Sequence, residues 1–269
     1  MCIRDSSKAC GYAEAVERLK NSTMPQFNDI DRSKAQALIE RVITSHGEGP
    51  FWLSGTEISD LLACYGIKFA VMKTAGTAEE AAEAAKEIGF PVAVKLDSES
   101  ISHKTDVGGV ILDVRDEEGV VEAFNKIKEN LRSIGKENEM EGVTVSPMVK
   151  EGLEIIVGTT RDALGSLIMF GMGGIYTEIL KDTVFRLNPL TDTDAKEMTT
   201  SIKMSRLFSG YRDMPAYDIK SVQELLLRVS AMVTDIPEIA ELDMNPAIVQ
   251  PEGEGYRVVD CRILIDKNS

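Results

Sequence analysis

One short stretch, SHKTDVGGV from Ser102 to Val110, gathers a histidine, a lysine, an acid and two adjacent glycines. His103 is one of only two histidines in the 269 residues, and an imidazole can accept a phosphoryl group. Gly108 and Gly109 carry no Cβ, so backbone N–H groups can approach an anion closely there. The stretch is consistent with a loop that covers a phosphate; a glycine turn beside a solvated histidine is the simpler alternative.

Lys95 lies near the end of the apolar run VAVKL, a few residues before this stretch. Lysine is rarely buried without a partner. It is therefore either an edge-strand lysine whose ammonium reaches water or a lysine that binds phosphates in a cleft. The succession of lysine strand, polar loop, glycine pair and second strand favours the phosphate-binding interpretation.

A second candidate site lies near the end of the chain. The runs IAELDMNPAIVQ and YRVVDCRILI flank the turn PEGEG, which predicts a β-hairpin. If the turn centres between Glu252 and Gly253, Asn245 lies opposite Asp260, with Cβ atoms roughly 4.5–5.5 Å apart. An amide oxygen and a carboxylate so placed suit Mg²⁺, which shares its oxygen ligands with waters and nucleotide phosphates. A cross-strand hydrogen bond is the alternative, and a one-residue slip would separate the two side chains.

The surrounding pattern alternates between strands and helices, which predicts an α/β or α+β layered fold. A linker is expected at 23–31. Helices are expected at 11–22, 33–44, 56–65, 77–88, 117–134, 193–204 and 218–235. Strands are expected at 67–73, 92–96, 109–114, 143–149, 154–162, 166–174 and 183–190, and in the terminal hairpin.

Composition excludes several classes of function. The net charge of −14 and the pI near 4.7 argue against non-specific binding to nucleic acid or acidic membranes. No apolar run approaches the roughly 20 residues that span a bilayer. The four scattered cysteines form no CxxC pair, which argues against zinc and predicts free thiols in a reducing cytoplasm. The start, MCIRDSS, is interpreted as translated adapter sequence, so the chain is expected to be part of a longer protein.

The order of motifs from residue 31 to 266 resembles the ATP-grasp module of ADP-forming acyl-CoA synthetases, the NDP-forming acetate–CoA ligases. The motifs are VAVKL, HKTDVGGV, VSPMVKEGLEIIVG, FGMGGIYTEILKD, FRLNPL, ELDMNPAI and VVDCRILI. The resemblance implies two α+β subdomains that enclose the nucleotide. The smaller would be 67–145 and the larger, with the Mg²⁺ site, 146–269. Residues 31–66 would be a helical segment and 1–30 a linker or remnant of a fused enzyme.

The resemblance also implies roles for individual residues. Those implied to bind the nucleotide are Lys95, Gly108, Gly109 and Val110 at the phosphates, Ser146, Met148 and Val149 at adenine, and Glu154 at the ribose. Asn245 and Asp260 match the Mg²⁺ ligands. Glu178 and Arg186 match positions near the phosphates, and His103 matches a histidine that accepts a phosphoryl group transiently.

The implied reaction interconverts acyl-CoA, ADP and phosphate with free acid, CoA and ATP, through an acyl phosphate and a phosphohistidine. ATP or ADP with Mg²⁺ would bind to this chain. Acyl-CoA and phosphate would bind to a CoA-ligase domain or α-type subunit that this sequence does not contain. The alternatives are another ATP-grasp enzyme, such as a succinyl-CoA synthetase β-type subunit, and a non-catalytic nucleotide-binding module.

Overall fold

The computed structural model describes residues 22–47, 49–70, 72–98, 100–101, 104–162, 165–174, 182–212 and 214–267. Its helices are α1 (Arg32–His46), α2 (Gly55–Cys64), α3 (Ala78–Ile88), α4 (Glu117–Ser133), α5 (Asp192–Ser201) and α6 (Ile219–Asp235), with 3₁₀ turns at Glu137–Glu139 and Lys203–Ser209. Its strands are β1 (Phe51–Trp52), β2 (Lys73–Ala75), β3 (Val92–Asp97), β4 (Val110–Val114), β5 (Gly142–Pro147), β6 (Leu153–Asp162), β7 (Gly165–Met172), β8 (Thr183–Leu187), β9 (Ile239–Val249), β10 (Tyr256–Val258) and β11 (Cys261–Ile265).

The chain divides into two compact units. The smaller unit is Ala70–Lys150, and the larger joins the chain up to Phe69 with the chain from Glu151 onward. The limits predicted for the two subdomains were 67–145 and 146–269, whereas the larger unit also contains residues 31–66, which were predicted to be a separate helical segment. None of the helices in the described residues is long and apolar enough to cross a membrane.

The smaller unit is a four-stranded antiparallel sheet in the order β2-β5-β3-β4. Helices α3 and α4 pack against each other and against this sheet. Thr77 begins α3 because its hydroxyl accepts the Glu80 N–H while the Glu80 carboxylate accepts the Thr77 N–H, a capping box. The buried side of α3 consists of alanines, so the helix can approach the sheet closely. One face of this sheet is therefore occupied by the hydrophobic core.

The larger unit is built on an antiparallel sheet of seven strands in the order β1-β11-β9-β6-β7-β8, with β10 paired to β9. Helix α6 packs on β7 and β9, and α5 packs on β8 and α6. Asp218 begins α6, as predicted, by accepting the Ser221 N–H at 3.1 Å. These helices cover one face of the sheet, and the other face carries the polar residues considered below.

Residues 23–31, predicted to be a linker, contact other parts of the larger unit, to which they belong. The N–H and hydroxyl of Thr23 both donate to the Asp192 carboxylate, at 2.8 Å each. The Arg228 guanidinium, 7% exposed, donates to Asp29 at 2.8 Å and lies 4.4 Å from the ring centre of Phe27. A buried guanidinium needs such partners because its desolvation is otherwise unfavourable. The segment has no helix or strand, as predicted for a linker, but it is packed rather than extended from the fold.

The strand predicted at 67–73 is also placed differently. The structure has a strand only at Lys73–Ala75, and Phe69 instead forms an isolated bridge with Val258 of the larger unit. Ile67 and Phe69 are buried there, and the Val258 N–H donates to the Lys68 carbonyl at 2.9 Å. The alternation of apolar residues is present, but its two ends have different partners. Phe69 bridges to Val258, whereas Lys73–Ala75 pair with β5. The helix predicted at 11–22 lies outside the described residues, except for Ser22.

Candidate functional site

The face of the larger sheet opposite its helices contains a groove of about 450 Å³. Alternate residues of neighbouring strands line it, including Ile156 and Gly158 of β6, Met169 of β7, Phe185 of β8, and Asp243 and Asn245 of β9. Successive side chains of a strand point to opposite faces, so these positions share one face. The groove therefore joins an apolar wall to a polar wall on a continuous sheet.

The hairpin register predicted for Asn245 and Asp260 is confirmed. Ala247 pairs with Val258 on one side of them, and Met244 pairs with Cys261 on the other. Between these pairs the Asn245 N–H donates to the Asp260 carbonyl at 3.1 Å. The side chains of Asn245 and Asp260 are both exposed. The two candidate ligands thus lie opposite each other, and Asn245 lines the groove.

These donors fit a small hard cation. An amide oxygen and a carboxylate are ligands that Mg²⁺ accepts, and Mg²⁺ usually completes its octahedron with waters and phosphate oxygens. Within the described ranges no group of three or more His, Cys, Asp or Glu side chains is arranged to hold a metal ion. An Asn–Asp pair would supply only two protein ligands, and oxygens of a bound phosphate would complete the coordination of the cation.

Asp243 is a member of this cluster that the sequence reasoning missed. It lies two residues before Asn245 on the same strand, lines the groove and is half-buried. Burial raises the pKa of Asp243, and the nearby carboxylates of Asp260 and Glu241 add to the rise while Arg262 opposes it. In the run ELDMN, Asp243 and Asn245 are two residues apart, and this spacing on a strand predicts that both side chains lie on the same face.

In the smaller unit Lys95 lies on the face of the sheet opposite the core. Its neighbours along β3, Val94 and Leu96, are completely buried against α3 and α4, whereas Lys95 is half-buried. It pairs with Val110 on β4 and with Thr144 on β5. Of the two interpretations of Lys95, an edge-strand lysine is excluded because β3 is an inner strand.

The turn at residues 104–109 holds its glycines by internal hydrogen bonds. The Gly108 N–H donates to the Thr105 carbonyl at 3.0 Å, and the Gly109 N–H donates to the Lys104 carbonyl at 2.8 Å. Gly108 has a φ of +66°, and a Cβ on Gly109 would lie 2.9 Å from the Leu96 Cβ. The conformation of this turn thus requires glycine at both positions, and both N–H groups donate hydrogen bonds within the turn. The argument that these N–H groups face an anion does not hold for this conformation.

The segment predicted to meet adenine runs along β5 to the end of the smaller unit. Ser146 pairs with Ala93, so it shares the face of Lys95, and it is buried. The Met148 N–H donates to the Pro91 carbonyl at 3.0 Å, and the Met148 sulfur accepts the Asp113 N–H at 3.5 Å. Met148 and Val149 are half-buried. The segment is thus fixed to β3 and β4 on one side.

Glu154 lies on the groove face of the larger sheet. It is on β6 in phase with Ile156 and Gly158, and it is exposed. Its carboxylate lies so close to Gly174 that a Cβ at that position would overlap it. The position predicted to bind the ribose is therefore beside the groove residues.

Arg186 is not on this face. It pairs with Ile168, which is completely buried on the helix side of the sheet. Its guanidinium donates to Glu197 of α5 at 3.3 Å and to the Phe185 carbonyl at 2.9 Å. The neighbouring residue, Phe185, is the one that lines the groove. The catalytic role predicted for Arg186 stays a prediction that this geometry does not support.

His103 and Glu178 lie outside the described residues, so their predicted roles stay predictions.

Comparison with known proteins decides the family. The model of the ATP-grasp domain family matches residues 44–265. This chain is an ATP-grasp protein. The β subunit of the ADP-forming acetate–CoA ligase II of Pyrococcus furiosus is 40% identical over 236 residues, which cover 87% of this chain and 99% of that subunit. The chain therefore belongs with the β subunits and β-type domains of ADP-forming acetate–CoA ligases.

Other members carry this ATP-grasp module within a longer chain. The ADP-forming acetate–CoA ligase I of Archaeoglobus fulgidus is 41% identical over 237 residues, covering 88% of this chain but only 34% of that protein. The chain thus spans nearly the whole of one curated relative and about a third of the other.

A solved relative has the same fold. It is the acetyl-coenzyme A synthetase 1 of Ca. Korarchaeum cryptofilum in complex with coenzyme A and Mg-AMPPCP, its phosphohistidine segment pointing towards the nucleotide binding site. The match has a TM-score of 0.70 and 34% identity, and it covers 86% of this chain and 99% of that one. The predicted family and fold class are confirmed.

Proposed function

We propose that this chain is the nucleotide-binding, phosphoryl-transfer part of an ADP-forming acyl-CoA synthetase. The observation that carries the proposal is the Asn245–Asp260 pair, held in register beside the groove of an ATP-grasp sheet. The family match and the Mg-AMPPCP bound by the Ca. Korarchaeum cryptofilum relative support it. Asn245 and Asp260 would hold Mg²⁺, which when bound neutralises phosphate charge.

The step assigned to this chain is phosphoryl transfer between a phosphohistidine and ADP. An oxygen of the ADP β-phosphate forms a bond to the phosphorus while the phosphorus–nitrogen bond to the imidazole breaks. The imidazole keeps the electron pair and takes up a proton, and the products are ATP and histidine. Lys95 would stabilise the charge on the transferring group. Ser146 to Val149 and Glu154 would orient the nucleoside.

The acyl chemistry belongs to a partner. Acyl-CoA and phosphate would react on a CoA-ligase domain or α-type subunit, which would form an acyl phosphate and then the phosphohistidine. His103 is proposed as a second acceptor, which would receive the phosphoryl group from the partner before ADP does. The partner, rather than this chain, would select the acyl group.

A complementation assay tests the proposal. The chain is mixed with a CoA-ligase partner of the family, acetyl-CoA, phosphate, Mg²⁺ and ADP, and ATP is measured. We expect ATP from the unmutated chain and none with Asp260→Ala. If the partner forms its phosphohistidine but no ATP appears, the proposal is wrong. Full activity of His103→Ala would remove only the relay role of that histidine.

A further inference from the structure

Beyond the groove, the open face of the larger sheet continues over β11 to the edge strand β1. Arg262 pairs with Asp243, and Leu264 pairs with both Glu241 and Trp52. Directly opposed residues project to the same face, so Trp52, Leu264 and Arg262 continue the face that carries Glu241 and Asp243. We call these three residues the rim.

The rim is accessible and is not needed for the core. Trp52, the only tryptophan in the chain, is 50% exposed, and Arg262 is exposed. The alternating residues Cys261, Ile263 and Ile265 fill the core on the other face. A large aromatic ring and a guanidinium therefore stand together on a surface that the fold itself leaves open.

Electrostatics gives Arg262 a purpose. Three carboxylates, those of Glu241, Asp243 and Asp260, lie on this part of the face, and Arg262 is paired with Asp243 across the two strands. A phosphoryl group that approaches these carboxylates brings more negative charge and needs a cation at the point of entry. A guanidinium suits this role because its planar fork binds two phosphate oxygens at once.

We propose that the rim docks the phosphohistidine-bearing segment of the CoA-ligase partner, with Arg262 binding the phosphoryl group and Trp52 contacting the segment. The inference rests on the proposed function. A flat imidazole that carries an anionic phosphoryl group is the chemistry that an arginine beside an exposed indole recognises. From strand geometry, the Cβ atoms of Arg262 and Asp243 are about 5 Å apart, and those of Trp52 and Arg262 are about 8 Å apart. One phosphorylated side chain can span these distances.

Fluorescence of Trp52 measures docking directly, because the chain contains no other tryptophan. The probe is a short synthetic peptide with a phosphohistidine, and the same peptide without phosphate is the comparison. We expect saturable quenching by the phosphorylated peptide only. Arg262→Ala should weaken this binding about tenfold and Arg262→Lys less, because lysine keeps the charge but loses the fork. Arg41→Ala, an exposed arginine of α1, is the matched control and should bind normally.

Turnover separates this inference from the proposed function. With the peptide and Mg·ADP as substrates, Arg262→Ala should raise KM for the peptide about tenfold and change the Kd of Mg·ADP by less than about twofold. Unchanged peptide KM, or an equal loss of ADP affinity, would overturn the docking role. Quenching that depends on Arg262 without any ATP would support docking and refute phosphoryl transfer. ATP formation that is unaffected by Arg262→Ala would support phosphoryl transfer and refute docking at the rim.

Discussion

The two hairpins that carry the candidate ligands are held in different ways. Asn245 is on the 11-residue strand β9 and Asp260 lies between β10 and β11, and ladder pairs flank the two residues on both sides. The turn at residues 104–109 precedes β4, the edge of a four-stranded sheet, and its own hydrogen bonds, one from the Asn130 side chain and one from the Leu96 N–H to the Gly109 carbonyl hold it. The backbone of one hairpin is thus paired on both sides of its candidate ligands, whereas the described part of the other connection is held mainly by hydrogen bonds within one turn.

This difference agrees with what the two sites are proposed to do. The positions of the metal ligands must be precise, because Mg²⁺ tolerates little departure from octahedral geometry. A loop that covers phosphates must admit the nucleotide and then close over it. Because the N–H groups of Gly108 and Gly109 are engaged within the turn, we expect nucleotide binding to rearrange it.

Removing Asp260, the proposed carboxylate ligand of Mg²⁺, should have the largest effect on the rate of ATP formation. Asp260→Ala should lower the rate of ATP formation on the order of 10³-fold, because charge neutralisation by the metal would be lost. Glu252→Ala removes an acid from the turn of the same hairpin and should leave the rate unchanged. Steady-state kinetics with saturating ADP gives the comparison. Equal rates for both variants would show that Asp260 is not a ligand.

Lys95 probes the other hairpin. Lys95→Met should lower the rate on the order of 10²-fold, as the loss of one group that stabilises transition-state charge typically does. Lys73→Met is the matched control, since Lys73 lies on the same sheet and is ion-paired with Glu87 near the surface. The rates of the two variants decide whether the face of Lys95 is the functional one. A loss that is as large in Lys73→Met would point to folding instead.

The glycines test the role that the structure gives them. Gly109→Ala should lower the free energy of unfolding by about 1–3 kcal/mol, because its Cβ would overlap Leu96 and the Lys104 carbonyl. Gly253→Ala, in the turn of the rigid hairpin, has a φ of +87° but open space around it, and should lose only about 1 kcal/mol. Urea denaturation measures both. A stable Gly109→Ala would mean that the turn is looser than described.

Asp243 should show the smallest effect. Its raised pKa means that the carboxylate is less favourable in the folded chain than in the unfolded one. This destabilisation is complete above the raised pKa and absent below the ordinary value. Asp243→Asn should therefore raise the urea midpoint at neutral pH without Mg²⁺, and the gain should vanish in acid. A gain that is independent of pH would have another cause.

The two hairpins also show what the sequence could predict. PEGEG marks a turn, and with its centre placed between Glu252 and Gly253, counting along both strands put Asn245 opposite Asp260, as the structure does. Asp243 was missed although the same counting reaches it. The face of Arg186 depends on which side of β8 the helices cover, and a single residue of phase decides it. The contacts of Phe27 and Asp29 depend on Arg228, about 200 residues away in sequence, and no local pattern indicates them.

The affinity for ADP with and without Mg²⁺ tests the central claim most directly. Calorimetric titration of the unmutated chain and of Asp260→Ala gives four dissociation constants. The hairpin account predicts that Mg²⁺ tightens ADP binding to the unmutated chain and has little effect on the variant, while both bind metal-free ADP equally. An equal gain from Mg²⁺ in both proteins would contradict it, because the metal would then be held elsewhere.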